Sequence, residues 1–283
     1  MIKSYLELNK NEKQALVEFL NKNNNNVTLE NIEKEYKAEE FDYGKGVLIS
    51  IKEKNIIGKL SIVLLECCLK NVAYIVRFEI DEKFKYNKEA ILELKNEAIK
   101  LANSYGAFKI YLGTKNNEII NTLNLQKQYS AVKMILQDRK IKLSPFKLEK
   151  LTEENKNEYI KINNDAFYAV PNGGTLTKYK VNEYIKETNE NNYYFIAKLN
   201  DVNIGFVQFH IENGVGEFDL GLIKIMQGKG YGKKLLETAI YFLNLKEVND
   251  ICLTVITKNK VAYEMYKKRG FKEIEILNDW FEL

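Results

Sequence analysis

The chain has 283 residues, 43 basic and 39 acidic side chains and a formal net charge of +4; its hydrophobic content of 45% excludes a disordered chain and suits one large packed domain or two of about 140 residues. Divided after residue 145, the first part carries 24 basic and 19 acidic residues and the second 19 and 20. Neither has a basic stripe interleaved with aromatics, so nucleic acid is not expected as a partner.

In the first part, Asn23–Asn26 reads as a solvated loop tip, because asparagine offers a helix little and favours turns. Cys67 and Cys68 lie in an apparent strand or at its edge, as does Cys252 further on. Three cysteines without metal-like spacing and a single histidine, His210, predict reduced thiols and no metal site. No run approaches the ~20 apolar residues of a membrane span, and Met1–Leu6 carries no signal-peptide core, so a cytoplasmic protein without a membrane partner is expected. Ser144-Pro145, within Lys140–Phe146, interrupts two patterned regions and sets the expected seam, giving domains 1–143 and 146–283.

The second part reads as strand Phe146–Leu148, helix Glu153–Phe167, the loop Val170–Gly174 and a helix over Lys180–Thr188. Strands follow at Tyr193–Lys198, Ile204–Ile211 and Glu217–Ile223, then a glycine-rich turn, Gln227-Gly228-Lys229-Gly230-Tyr231-Gly232. The next run places Leu235, Leu236, Ala239, Ile240 and Leu243 on one helical face. Strand Ile251–Ile256, a helix of about ten residues from the N-cap Asn259 to the C-terminal Gly270, and a last strand or two through Trp280-Phe281 complete an α/β (α+β) pattern.

Glycines at a strand-to-helix turn leave backbone N–H groups open to an anion at the positive end of a helix dipole, and Lys229, Lys233 and Lys234 add charge. The spacing is not that of a P-loop, since Gln227 stands where the first glycine belongs and Lys234 where Ser or Thr is required. Nor is it a dinucleotide fingerprint, whose third glycine is Lys233 or Leu235 here. It fits Gln-x-x-Gly-x-Gly, and downstream Asn259, Ala262, Tyr266, Gly270 and Phe271 fit Asn-x-x-Ala-x-x-x-Tyr followed by Gly-Phe. Together these resemble the GNAT N-acetyltransferases.

The halves also repeat each other. Asn55–Leu60 parallels Val202–Val207 at an offset of 147, and Leu112–Asn116 parallels Val255–Asn259 at 143. In the first half the glycine turn is replaced by Asp81–Asn87, which has no glycine, and Tyr266 by Leu123. The resemblance therefore implies two GNAT-like domains, each a mixed, mostly antiparallel twisted sheet flanked by helices, with a degenerate first copy that either completes a core or walls the acceptor pocket.

By resemblance, the C-terminal domain is an acetyl-CoA-dependent acyltransferase acting on a small-molecule or peptide amine in a ternary complex. The cosubstrate is expected on Leu222, Ile223, Gln227, Gly228, Lys229, Gly230, Tyr231, Gly232, Lys233 and Asn259, with a backbone donor near Leu220–Leu222 for the thioester carbonyl. Tyr266 is the expected general acid at the CoA sulfur. For the base, Glu217 leads, with Asp219, His210 or no dedicated side chain as alternatives; Phe167, Tyr168 and the Pro171–Gly174 loop fall where the family shapes its acceptor site. Two other readings are a non-catalytic acyl-CoA-binding module and an aminoacyl-tRNA-dependent transferase, the latter at odds with the intact loop and the small charge.

Overall fold

The computed structural model describes residues 1–22, 26–84, 87–188 and 191–283, so Asn23–Asn25 of the expected loop tip lie outside the described residues. In chain order the first elements are β1 (Ile2–Ser4), α1 (Lys10–Asn21), α2 (Leu29–Tyr36), β2 (Val47–Lys52), β3 (Asn55–Val63), α3 (Leu65–Lys70), β4 (Val72–Ile80), α4 (Lys88–Ser104), β5 (Lys109–Thr114) and α5 (Asn117–Thr122). There follow β6 (Lys127–Leu136), β7 (Lys147–Lys150), α6 (Lys156–Phe167), α7 (Lys178–Glu187), β8 (Asn192–Leu199), β9 (Val202–Glu212), β10 (Val215–Leu222), α8 (Tyr231–Leu245), β11 (Asp250–Ile256), α9 (Lys260–Arg269) and β12 (Phe271–Glu282). The chain divides into two compact units, Met1–Tyr129 with Asn278–Leu283, and Ser130–Leu277.

In the first unit the strand order is β1-β2-β3-β4-β5-β12, with only β4 and β5 parallel. Leu60, Ile62, Ile75 and Leu112 pack on one face with Ile91 and Leu94 of α4; Ile49 and Val47 pack on the other with Leu16 of α1 and Ile32 of α2. In the second unit the order is β6-β11-β10-β9-β8-β7, again with one parallel pair, β10 and β11. The period of two along β9 decides its layers. Val207 and Phe209 meet Leu236, Ala239 and Leu243 of α8, while Phe206 meets Tyr159 and Ile162 of α6. Both units are thus mixed, mostly antiparallel sheets with helices on both faces.

Each sheet is finished by a strand from the other half of the sequence. Residues 279–282 of β12 pair with β5, and residues 131–135 of β6 pair with β11. The division accordingly falls at 129/130, not between 143 and 146. Ser144-Pro145 lies in an irregular stretch inside the second unit, where buried side chains hold the flanking backbone. Arg269 donates to the carbonyls of Asp138 and Lys140, both at 2.8 Å, and pairs with Glu237, whose other oxygen accepts from Lys142 N at 3.0 Å. Phe146 N donates to Thr238 Oγ1 at 2.8 Å. A pattern break in sequence marks an irregular backbone; which sheet takes the next strand is a tertiary matter.

Cys67 and Cys68 lie on α3, not in a strand; an apolar run this short has no period by which to tell the two apart. Helix α6 starts at Lys156 and not at Glu153, since Asn155 closes the preceding turn by accepting from Thr152 N and donating to Lys150 O, both at 2.9 Å. Among the described residues no helix is long and apolar enough to cross a membrane.

Candidate functional site

The site is built where two parallel strands part. β10 pairs with β11 only from Val215↔Asp250 to Glu217↔Cys252, whereas its antiparallel pairing with β9 continues to Leu222↔Gly205. Beyond Glu217, one edge of β10 therefore faces an opening. Ile223 N donates to Ile204 O of β9 at 3.0 Å, so by strand alternation the N–H groups of Leu222 and Leu220 point to the open side.

The glycine turn caps this opening. Gly228 and Gly230 have φ of +72° and +85°, and a Cβ on either would meet no atom within 4 Å, so both are needed for conformation and both border open space. Gly230 is the N-cap of α8 with no side-chain cap, and the first turn contains no acidic residue. The leading N–H groups of a 15-residue helix are thus free to bind an anion. Lys229 and Lys233 are exposed beside them, whereas Lys234 is turned aside, with Nζ 4.5 Å from the Phe146 ring centroid. Tyr231 packs edge-on against the same ring at 6.2 Å. Gln227 ties the turn to the strand, donating to Leu222 O at 2.9 Å. A Cβ on Gly232 would stand 3.4 Å from Met265 Sδ and 4.0 Å from Leu222 Cδ1, so the turn, the end of β10 and α9 converge at this residue.

Asn259 starts α9 by accepting from Ala262 N at 3.3 Å, and Gly270 ends it at φ +109° with Lys267, Lys268 and Arg269 in the last turn. The helix carries Tyr266 into the core, edge-on to Phe271 at 5.8 Å. Burial raises the Tyr266 phenol above its ordinary range, and the negative charge of Asp219 raises it further.

Asp219 lies opposite Gln208 in the β9–β10 register, and Gln208 Nε2 donates to its Oδ2 at 3.1 Å. Asp219 is exposed to solvent, yet protein crowds around its carboxylate. That crowding raises its pKa above the usual carboxylate range, the Gln208 hydrogen bond opposes the rise, and Glu217 adds to it. Glu217 itself is engaged by Lys133 of β6, one strand beyond β11. His210 is exposed, with Nδ1 2.8 Å from Asn192 Oδ1 and Nε2 3.7 Å from Glu212. Phe167 belongs to the core, its ring 5.1 Å from that of Phe206, while Tyr168 is exposed. The residues that sequence reasoning passed over are Gln208, Tyr159 and Lys133. A polar residue every second place on β9 was visible, but its partner across the sheet was not.

Three independent comparisons bear on this arrangement. The model of the acetyltransferase (GNAT) family matches residues 148–271, which span the parted strands, the glycine turn and Tyr266. Residues 148–271 are thus similar to the GNAT family. An uncharacterized N-acetyltransferase of Methanocaldococcus jannaschii is 27% identical over 93 residues, 32% of this chain and 60% of that protein, so less than two thirds of it is spanned. A [ribosomal protein bS18]-alanine N-acetyltransferase of Haemophilus ducreyi is 24% identical over 136 residues, 48% of this chain and 89% of that one. Among solved structures, a tandem GNAT protein from the clavulanic acid biosynthesis pathway aligns over 100% of this chain and 98% of its own, at a TM-score of 0.61 and 9% identity. A GCN5-related N-acetyltransferase from Kribbella flavida aligns over 100% of this chain and 70% of its own, at 0.67 and 11%. The fold is accordingly that of a tandem of two GNAT-like domains. Among the described residues no cluster of His, Cys, Asp or Glu is arranged to hold a metal.

Proposed function

We propose that the second unit is an N-acetyltransferase that moves acetyl from acetyl-CoA directly to an amine. One observation carries the reading: an uncapped glycine turn, an open strand edge and the helix that carries the buried Tyr266 meet around Gly232. In it, the N–H groups of Gly230 to Lys233, with Lys229 and Lys233, hold the pyrophosphate. Leu222, Ile223, Gln227, Gly228, Tyr231 and Asn259 shape the surrounding cradle. The N–H of Leu220 or Leu222 polarises the thioester carbonyl.

The amine nitrogen attacks the carbonyl carbon, the C–S bond breaks, the amine gives up a proton and the sulfur gains one. An alkylammonium pKa of about 10.4 makes the first proton costly to remove at neutral pH, so a base in the groove would speed the reaction. Glu217, the leading candidate in sequence, is held by Lys133, whereas Asp219 is partnered by the neutral amide of Gln208, so Asp219 is the carboxylate we assign as base. The coupling has a useful sign. While Asp219 is ionised it keeps Tyr266 protonated; once Asp219 has taken the amine's proton, the charge opposing Tyr266's ionisation is gone and its proton is easier to give.

A peptide N-terminal amine is the acceptor to try first, given what the Haemophilus relative acts on, with small amines next. The three free cysteines support a reducing, cytoplasmic setting. Calorimetric titration of acetyl-CoA into wild type and Gly230→Glu tests the reading. One saturable site, lost in the variant, is expected. No binding would end the proposal, and binding without transfer to any amine would favour an acyl-CoA-binding module.

A further inference from the structure

We infer that Tyr159 and Gln208 form a positioning relay that fixes how Asp219 presents its carboxylate to the incoming amine; this rests on the reading above, in which Asp219 accepts the proton. The three residues come from α6, β9 and β10. Tyr159 is fully buried, its ring edge-on to Phe206 at 6.0 Å, so its hydroxyl has a fixed direction. That hydroxyl donates to Gln208 Oε1 at 3.5 Å, and Gln208 Nε2 donates to Asp219 Oδ2 at 3.1 Å.

The polarity of the chain is set from its charged end. An ionised carboxylate only accepts, so the amide must turn its NH2 toward Asp219 and its oxygen away. The oxygen then needs a donor, and the hydroxyl of Tyr159 is the one in place. With that donor in place both ends of the amide are satisfied at once, and a reversed amide, which would set oxygen against oxygen at Asp219, is disfavoured at both ends. Among the described residues no other donor is bonded to Asp219, which leaves Oδ1 for the substrate.

Four groups face Asp219: Gln208 from β9, Glu217 from its own strand, Tyr159 from α6 and Tyr266 from α9. Lys133 of β6 acts at one remove by pairing with Glu217. Gln208 is the group here that favours the ionised form by a hydrogen bond, opposing the crowding and Glu217, so losing it must raise the pKa.

The test is the titration of Asp219 followed by carbon NMR on protein labelled at the aspartate carboxyls, its resonance assigned by its absence in Asp219→Asn. Gln208→Leu should move the midpoint up. Tyr159→Phe, which removes a group that touches Gln208 and not Asp219, should move it up by less. Thermal melts confirm that each variant is folded, and Gln208→Asn, which shortens the reach of the amide, gives the same upward shift should Gln208→Leu fail to fold. An unchanged midpoint in Tyr159→Phe would overturn the relay, as would one in both Gln208 variants. The titration needs neither acetyl-CoA nor acceptor, so it stands or falls separately from the transferase reading. With an acceptor in hand, the acid limb of kcat/KM should rise in the same order.

Discussion

The two units share the geometry that makes a site and differ in what fills it. β4 and β5 run parallel from Val72↔Lys109 to Ile75↔Leu112 and then part, as β10 and β11 part after Glu217↔Cys252. β5 and β11 both lead through Thr-Lys-Asn into a helix whose first N–H groups are capped by that asparagine, Asn116 or Asn259. After β4, however, there is no glycine turn. Asp81 pairs with Lys22 and accepts from Lys83 N at 2.9 Å, in place of open N–H groups. Helix α5 is six residues long against ten for α9, and Leu123 closes it where Tyr266 would stand. By the offset of 147, Gln208 corresponds to Ser61, whose strand partner is Val76 and not a carboxylate. Parting strands are thus a property of the fold; the proposed chemistry rests on the turn, the tyrosine and the carboxylate added to it.

The sharpest way to break this comparison is at the tyrosine. Tyr266→Phe should lower kcat by roughly 10²–10⁴ with little change in acetyl-CoA affinity, since it removes a proton donor and leaves the turn intact. Leu123→Tyr should confer nothing, because the first unit lacks the turn. Activity that survives in Tyr266→Phe and falls in a Leu123 variant would reverse the assignment of the two units.

A second cut tests the exchanged strand. Phe281 is buried opposite Leu112, so Phe281→Ala should destabilise the first unit by about 3–5 kcal/mol. The chain's single tryptophan, Trp280, lies beside it and reports that unit in denaturant titration. Calorimetry on the folded variant should give an unchanged affinity for acetyl-CoA; a matching loss of affinity would mean the units do not act separately.

What was legible in the sequence follows the same division. The turn from Gln227 to Gly232 and the helix from Asn259 to Gly270 are local: caps, glycines and period fix them within a dozen residues. The alignment of Asn55–Leu60 with Val202–Val207 was legible because β3 and β9 occupy the same place in their sheets. The exchanged strands were not, because pairing partners more than a hundred residues apart, such as Ala131 with Ile256, leave no local trace. For the same reason Glu217 and Asp219 looked alike on one strand face. Only the sheet showed Lys133 at one and Gln208 at the other.

Asp219→Asn separates function from stability. With the folded-state pKa raised, the native state holds its proton where the unfolded chain has lost it, so stability falls as pH rises from the ordinary carboxylate pKa through the raised one. The asparagine removes that loss. The variant should melt higher than wild type at neutral pH, converge with it in acid and lose transferase activity. A lower melting temperature at neutral pH would show the carboxylate to be a structural partner.

The smallest effect is expected at Lys59, which lies opposite Glu79 at the place where Phe206 lies opposite Gly221. Its Nζ is 3.0 Å from Glu79 and 5.4 Å from the Tyr36 ring centroid, with the side chain almost wholly buried. Burial lowers its pKa and Glu79 opposes the fall, so the unfolded chain binds the proton more readily and stability rises with pH between the lowered pKa and the ordinary lysine value. Lys59→Met keeps the length, removes the charge that burial penalises and leaves a partly exposed Glu79 to solvent. Such replacements are often neutral or stabilising. Phe206→Ala, the corresponding change in the second unit, opens a cavity and should cost about 3–5 kcal/mol. If Lys59→Met proved as costly as Phe206→Ala, the ion pair would be what holds that face of the first unit together, and the lysine would be more than filler in a vacated groove.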